Sequence, residues 1–234
     1  MRIAIITGAS AGLGQAFFAA VRRRRADLEQ IWLIARRADR LEAMAADCPI
    51  PVTVLPLDLA DTASYQTLAD KLAAEQPTVE LLINNAGLGA LGNMDESDIA
   101  TQIRMVDVNC RGLTAVTTAV LPYMTAGSAI INVASIAAFA PNARMAVYSS
   151  TKAFVFSLSG ALREELRDGA EVFLRHVDGH VFHRLVDLAV NDLRDNLRLA
   201  DGQLEAFAAH LLHEDGQGEL TAALAAQRIL DAAD

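Results

Sequence analysis

The sequence predicts a doubly wound α/β fold: a mostly parallel sheet of about six strands with helices on both faces. Three observations predict it. Short apolar runs bounded by turn residues recur along the chain, longer helical patterns separate them, and the first run passes through a glycine-rich turn into a helix. Right-handed crossovers follow from that alternation, and the doubly wound topology orders the strands 3-2-1-4-5-6.

The apolar runs are Ile3–Ile6, Ile31–Ala35, Val52–Leu57, Val79–Asn84, Ala129–Ser135 and Glu171–Val177. Near-continuous apolarity marks strands covered on both faces, whereas a half-exposed strand alternates. Pro56 falls at the end of the third run, where a missing N–H leaves the ladder intact. Helical patterns run over Gly14–Arg25, Arg40–Ala46, Ser64–Gln76, Asp98–Met124 and Tyr148–Arg167. The basic cluster Arg22–Arg25 closes the first helix and complements the negative end of its dipole, away from the sheet edge where ligands bind. It is given no functional role. No repeat, linker or low-complexity tract divides the chain, so residues 1–234 read as one domain. A helical insertion is expected over about 182–218, and a last helix over Thr221–Ala233.

Composition limits the partners. Hydrophobic residues make up 53% of the chain and aromatics 5%, so the core is aliphatic and rich in alanine. A formal charge of −9 argues against nucleic acid or an anionic membrane, which both need basic surface. Cys48 and Cys110 stand alone, without ligand spacing, as expected of a reducing compartment. The apolar N-terminal run is too short for a secretory leader, and no stretch reaches the roughly 18 apolar residues of a membrane span. A cytoplasmic location is the expectation.

The first strand runs into Thr7-Gly8-Ala9-Ser10-Ala11-Gly12-Leu13-Gly14 and then a helix. Glycines allow a tight turn and close backbone approach, and the helix N-terminus offers free N–H groups to a pyrophosphate. An ordinary βα turn is the alternative; the strand before and the helix after favour the phosphate loop. The second strand should end beside the ribose of a dinucleotide, where an NAD enzyme carries Asp or Glu for the 2′-hydroxyl. Here the residues are Ala35-Arg36-Arg37. Two guanidiniums suit a 2′-phosphate, which favours NADP(H) over NAD(H); a solvated basic turn is the other reading.

Further motifs follow in order: Asp58-Leu59 after the third strand, NNAG (Asn84–Gly87) after the fourth, Asn109 in VDVNCRG, Ser135 after the fifth, and Tyr148-x-x-x-Lys152. With the phosphate loop, and from the N-terminus to about Arg167, the chain resembles the short-chain dehydrogenase/reductase family of NADP-preferring type. The resemblance implies a Rossmann fold and the transfer of hydride between NADP(H) and a carbonyl or secondary alcohol. It implies cofactor contacts from the loop residues Gly8, Ser10, Gly12, Leu13 and Gly14 and from Arg36 and Arg37 after the second strand. Asp58 and Leu59 would meet the adenine, Asp58 at the amino group, and the neighbourhood of Asn85 the adenosine ribose. Tyr148, Lys152 and Gly179 would lie at the nicotinamide end. Asn109, Ser135, Tyr148 and Lys152 would form a catalytic tetrad.

The residue types support that assignment. Tyr and Lys at i and i+4 share one helix face. A free phenol titrates near 10, too high for acid–base work at neutral pH, and a nearby ammonium favours the phenolate. Tyr148 would exchange a proton with the substrate oxygen, which Ser135 would polarise. Lys152 would also hold the nicotinamide ribose, and Asn109 a water that relays protons. Each residue has a plainer alternative: Asn84 tying the fourth-strand backbone, Asn109 satisfying a kinked helix, Ser135 as a strand-end hydroxyl.

Two departures from the family pattern stand out. Where the family has Pro-Gly and then a threonine four residues on, this chain has Asp178-Gly179 and His183. That motivates an alternative, a catalytically weak or inactive NADP(H)-binding sensor on the same fold. His176, His180 and His183 lie on a strand end and turn, so no metal site is expected. The family's seventh strand is also missing, which disfavours a tetramer. The helices over Asp98–Met124 and Tyr148–Arg167 are the candidate homodimer surface, with internal packing as the alternative. The expected partner is otherwise a small carbonyl or alcohol, against a wall of Leu88–Met94 and apolar residues of the insertion.

Overall fold

The computed structural model describes residues 1–139, 143–166 and 170–176, the last strand by its backbone. Strands β1 (Arg2–Thr7), β2 (Gln30–Ile34), β3 (Val52–Leu55), β4 (Thr78–Asn84), β5 (Ala129–Ala134) and β6 (Glu171–His176) form one parallel sheet. Their order is β3-β2-β1-β4-β5-β6, as expected of a Rossmann fold. The chain winds outward from β1 in one direction and from β4 in the other. The carboxyl ends of β1 and β4 therefore flank the switch-point crevice, where open α/β sheets bind ligands.

Helices α1 (Leu13–Arg24), α2 (Ala38–Ala46), α3 (Thr62–Glu75), α4 (Ile99–Val106), α5 (Leu113–Val120) and α6 (Ala146–Glu165) accompany the strands. Alternate strand residues point to opposite faces, and the core splits accordingly. Ile6, Leu33, Ile83 and Ile131 pack with Phe17, Val21 and Leu41 on one face. Ile5, Trp32, Leu82 and Ile130 pack with Leu68, Leu72, Val116 and Leu162 on the other. Strand β3 stops at Leu55, one residue before Pro56, which has no N–H for the ladder. Asp61 and Asp98 cap α3 and α4 by accepting from Ala63 N and Thr101 N. Of the basic cluster, Arg25 forms ion pairs with Asp27 at 2.9 Å and Glu80 at 2.5 Å.

The helix expected over Asp98–Met124 is interrupted. Between α4 and α5 lies a π-helical turn, Asp107–Gly112, and a 3-10 turn, Leu121–Tyr123, follows α5. A π turn inserts a residue into the helical register and re-aims the side chains within it. Here it turns Asn109 inward to 1% exposure. It also presses Gly112 against the loop after β3: a Cβ there would lie 2.7 Å from Leu59 O, so no larger residue fits without moving that loop.

Candidate active site

Strand β1 delivers Thr7 to the switch point, where its Oγ1 donates to Ile83 O at 3.3 Å and accepts from Asn85 N and Ala86 N at 3.0 Å each. Asn85 Nδ2 donates to Thr7 O at 3.0 Å and Gly8 O at 3.2 Å. The Asn85 amide thus ties the glycine-rich loop to the end of β4. Gly8 has φ +65°, and a Cβ on it would lie 2.7 Å from Ala86 Cα, so two backbones cross where only glycine fits. Helix α1 follows with Gly12 at its N-cap, no side-chain cap and no acidic residue in its first turn. Gly14 N and Gln15 N turn back onto Ala11 O and Gly12 O, and the positive end of the helix dipole faces the glycine-rich loop.

Arg36 and Arg37 follow β2, both exposed. Arg37 folds back onto the loop, its Nη2 donating to Ser10 Oγ at 3.0 Å and to Ser10 O at 3.3 Å. Arg36 makes no such bond among the described residues. In the loop after β3, Leu59 is buried, and Asp58 Oδ1 accepts from Ala60 N at 3.0 Å. Asp58 Oδ2 takes Arg104 Nη2 at 2.6 Å. Partial burial pushes the Asp58 carboxyl up, but Arg104, the Ala60 N–H and the more distant Arg36 outweigh it and hold it below its ordinary value.

The predicted tetrad gathers around the ends of β4 and β5 and the start of α6. Asn109 Oδ1 accepts from Leu88 N at 2.7 Å, while Nδ2 donates to Leu88 O at 2.8 Å and to Thr151 Oγ1 at 2.9 Å. Thr151 Oγ1 in turn donates to Tyr148 O at 2.8 Å. One buried amide therefore clamps the loop after β4 to α6. The buried side of α6 carries Lys152, Val155, Ser159 and Leu162, a stripe at helical spacing. Lys152 is 6% exposed, and its Nζ donates to Val133 O on β5 at 2.8 Å. Burial lowers its pKa from 10.5 to about 8, with Cys110 opposing slightly. The Nζ lies 5.8 Å from the centroid of the Tyr148 ring. A methyl on Gly87 would lie 3.5 Å from Asn109 Oδ1 and 3.6 Å from Lys152 Nζ, so the three converge. Ser135 is fully buried at the end of β5, and its Oγ accepts from Ala137 N at 3.2 Å. The loop after β4 also runs beside the Tyr148 ring, where a Cβ on Gly89 would make contact at 3.4 Å.

This arrangement has relatives. A family model for short chain dehydrogenases matches residues 2–173. The chain belongs to the short-chain dehydrogenase family. Sulfoacetaldehyde reductase 2 of Chromohalobacter salexigens is 36% identical over 172 residues, covering 70% of this chain and 67% of that one. The NADP-dependent 3-hydroxy acid dehydrogenase YdfG of Escherichia coli O157:H7 is 34% identical over 172 residues, covering 72% of this chain and 68% of its own. Among solved structures, a short-chain dehydrogenase from Sphingobium yanoikuyae in complex with NADPH superposes with a TM-score of 0.67 at 28% identity. It covers 93% of this chain and 97% of that one. Membership of this family makes the chain an oxidoreductase.

Several features of this short-chain dehydrogenase were invisible in its sequence. Thr7, Thr151, Arg104 and the carbonyl of Val133 each hydrogen-bond a predicted site residue that is distant in the chain. Asn84 does not tie the fourth-strand backbone: its Nδ2 donates to Thr117 Oγ1 and Asn132 Oδ1, both at 2.9 Å, inside the core. An open cleft of about 480 Å3 is lined by Met94, Val106, Cys110, Ala146, Val147, Ser150 and Thr151. Neither Tyr148 nor Lys152 lines it. Among the described residues no helix is long and apolar enough to cross a membrane, and no group of three or more His, Cys, Asp or Glu is placed to hold a metal ion. Asp178, Gly179, His180, His183, the expected insertion over 182–218 and the helix over Thr221–Ala233 lie outside the described residues.

Proposed function

We propose that this chain transfers hydride between NADP(H) and a carbonyl or secondary alcohol, with Tyr148 as the general acid–base. The observation that carries the reading is the buried Lys152 ammonium, anchored to Val133 O and facing the Tyr148 ring. The cofactor fits the residues present. The backbone crossing at Gly8 leaves the loop flush with β4, the uncapped α1 end suits a pyrophosphate, and Arg36 stands exposed for a 2′-phosphate. The relatives that work with NADP point the same way. When bound, the nicotinamide supplies or takes up the hydride.

The chain's own residues handle the proton. Tyr148 donates its phenolic proton to the carbonyl oxygen during reduction and accepts it in the reverse direction. Lys152 remains largely charged at neutral pH, below its value of about 8, and favours the phenolate. Ser135 donates to the same substrate oxygen and steadies its developing charge. Asn109 holds Leu88 and Thr151, and so sets the loop that borders the Tyr148 ring. Tyr148→Phe should abolish NADPH oxidation with a panel of ketones and aldehydes while leaving NADPH affinity within about threefold of wild type. Turnover that survives this substitution would sink the assignment. Tight NADPH binding without turnover in the wild-type protein would favour the sensor alternative.

The same reading includes a homodimer. Ile99, Ile103 and Val106 recur on one face of α4 and are 80%, 57% and 40% exposed; Phe154 on the adjoining α6 is 40% exposed. Such a stripe fits a second copy better than water. Ile103→Glu should shift the sedimentation coefficient from dimer to monomer; a monomeric wild type would refute it.

A further inference from the structure

The Asp58–Arg104 pair is left over from the proposed chemistry. The family resemblance implies an adenine contact for Asp58, and Arg36 is the proposed partner of the 2′-phosphate; neither role involves Arg104. In the structure a clamp from α4 and the π turn closes on the loop after β3. Arg104 Nη2 holds Asp58 Oδ2 at 2.6 Å, Arg111 Nη2 donates to Ala60 O at 2.7 Å, and Gly112 packs on Leu59 O. Asp58 Oδ1 is taken by Ala60 N. Both carboxylate oxygens are therefore engaged, Oδ1 by Ala60 N and Oδ2 by Arg104. Arg36 is close enough to act on the Asp58 charge, yet makes no hydrogen bond to it.

Two cations and one anion meet at this edge. With Arg104 in place, Asp58 is neutralised and Arg36 carries the surplus positive charge. Without Arg104, Asp58 Oδ2 is freed as an acceptor for the Arg36 guanidinium, which follows the neighbouring strand β2. A carboxylate so released also repels a phosphate dianion. We propose that Arg104 is a positioning residue for cofactor selectivity: by occupying Asp58 it leaves Arg36 available to the 2′-phosphate of NADP(H). The inference rests on the proposed role of Arg36.

Fluorescence titration of NADPH and NADH with wild type, Arg36→Ala, Arg104→Gln, Arg104→Lys and Arg104→Gln/Asp58→Asn tests it. The readout is the ratio of the two dissociation constants, in which any change in the shared adenine contact cancels. Arg104→Gln should cut the preference for NADPH about tenfold, a typical effect of redirecting a charged hydrogen bond. Arg104→Lys should retain most of the preference. The double variant, which no longer offers Arg36 a carboxylate, should recover it. Equal weakening of both cofactors in Arg104→Gln would mean a loosened loop and overturn the proposal. So would a double variant as unselective as Arg104→Gln. If Arg36→Ala itself leaves the ratio unchanged, the assignment of the 2′-phosphate site fails; if it lowers the ratio and Arg104→Gln does not, only the role of Arg104 fails.

Discussion

Replacing Lys152 with methionine should stabilise the protein at neutral pH while removing the ammonium that the chemistry needs. Lys152 is 6% exposed, and burial lowers its pKa from 10.5 to about 8. At about 1.36 kcal/mol per pH unit, that interval is a penalty of about 3 kcal/mol on the buried charged form. Methionine has a similar volume and no charge, but forfeits the bond to Val133 O, about 1–1.5 kcal/mol. The net expectation is a gain of about 2 kcal/mol at pH 7. Below about pH 8 the amine is protonated in both states, and the native state bears the whole penalty. Between about 8 and 10.5 the unfolded chain holds the proton and the native one does not, so wild-type stability rises with pH. Integrated from pH 7 to 10, that rise is about 2–3 kcal/mol, enough to cancel the variant's advantage. Urea unfolding of both proteins at pH 7, 8.5 and 10 measures it, and taking the difference removes the other titrating groups. A variant less stable at pH 7, with a difference flat in pH, would refute the claim that burial strains this lysine.

Two further outcomes follow from the same geometry. Thr151→Val keeps the shape but removes one of the two bonds of Asn109 Nδ2 and the hydroxyl bond to Tyr148 O; kcat should fall about tenfold with NADPH affinity unchanged, and Thr151→Ser should restore it, as steady-state kinetics would record. Gly8→Ala forces a methyl to 2.7 Å from Ala86 Cα at φ +65°; a loss of about 2 kcal/mol or more in thermal unfolding, together with weakened NADPH binding, is expected.

Much of the site was legible because its chemistry is local in the chain. The glycine spacing after β1, the Arg36-Arg37 pair after β2 and the i, i+4 relation of Tyr148 and Lys152 each need only a strand or helix to acquire meaning. A kink at Asn109 was one reading of the helix over Asp98–Met124, but its form, a π turn, was not legible, because one extra residue in a helical register leaves an apolar pattern nearly unchanged. Asn109 could be named, but not the loop it would hold. The partner of Asp58 is Arg104, and nothing in the intervening chain marks the two as neighbours.

The strand–helix alternation, the aliphatic core and the placement of polar motifs at strand ends are all written in the order of the residues. Hydrophobic periodicity and turn chemistry operate over a few residues, so they can be read one window at a time. The carbonyl that anchors Lys152, the extent to which burial lowers its proton affinity and the arginine that occupies Asp58 became visible in the folded chain alone. Those depend on desolvation and on hydrogen bonds between segments far apart in the chain, and such segments meet only when the parallel sheet brings β1, β4 and β5 side by side and the helices close over them.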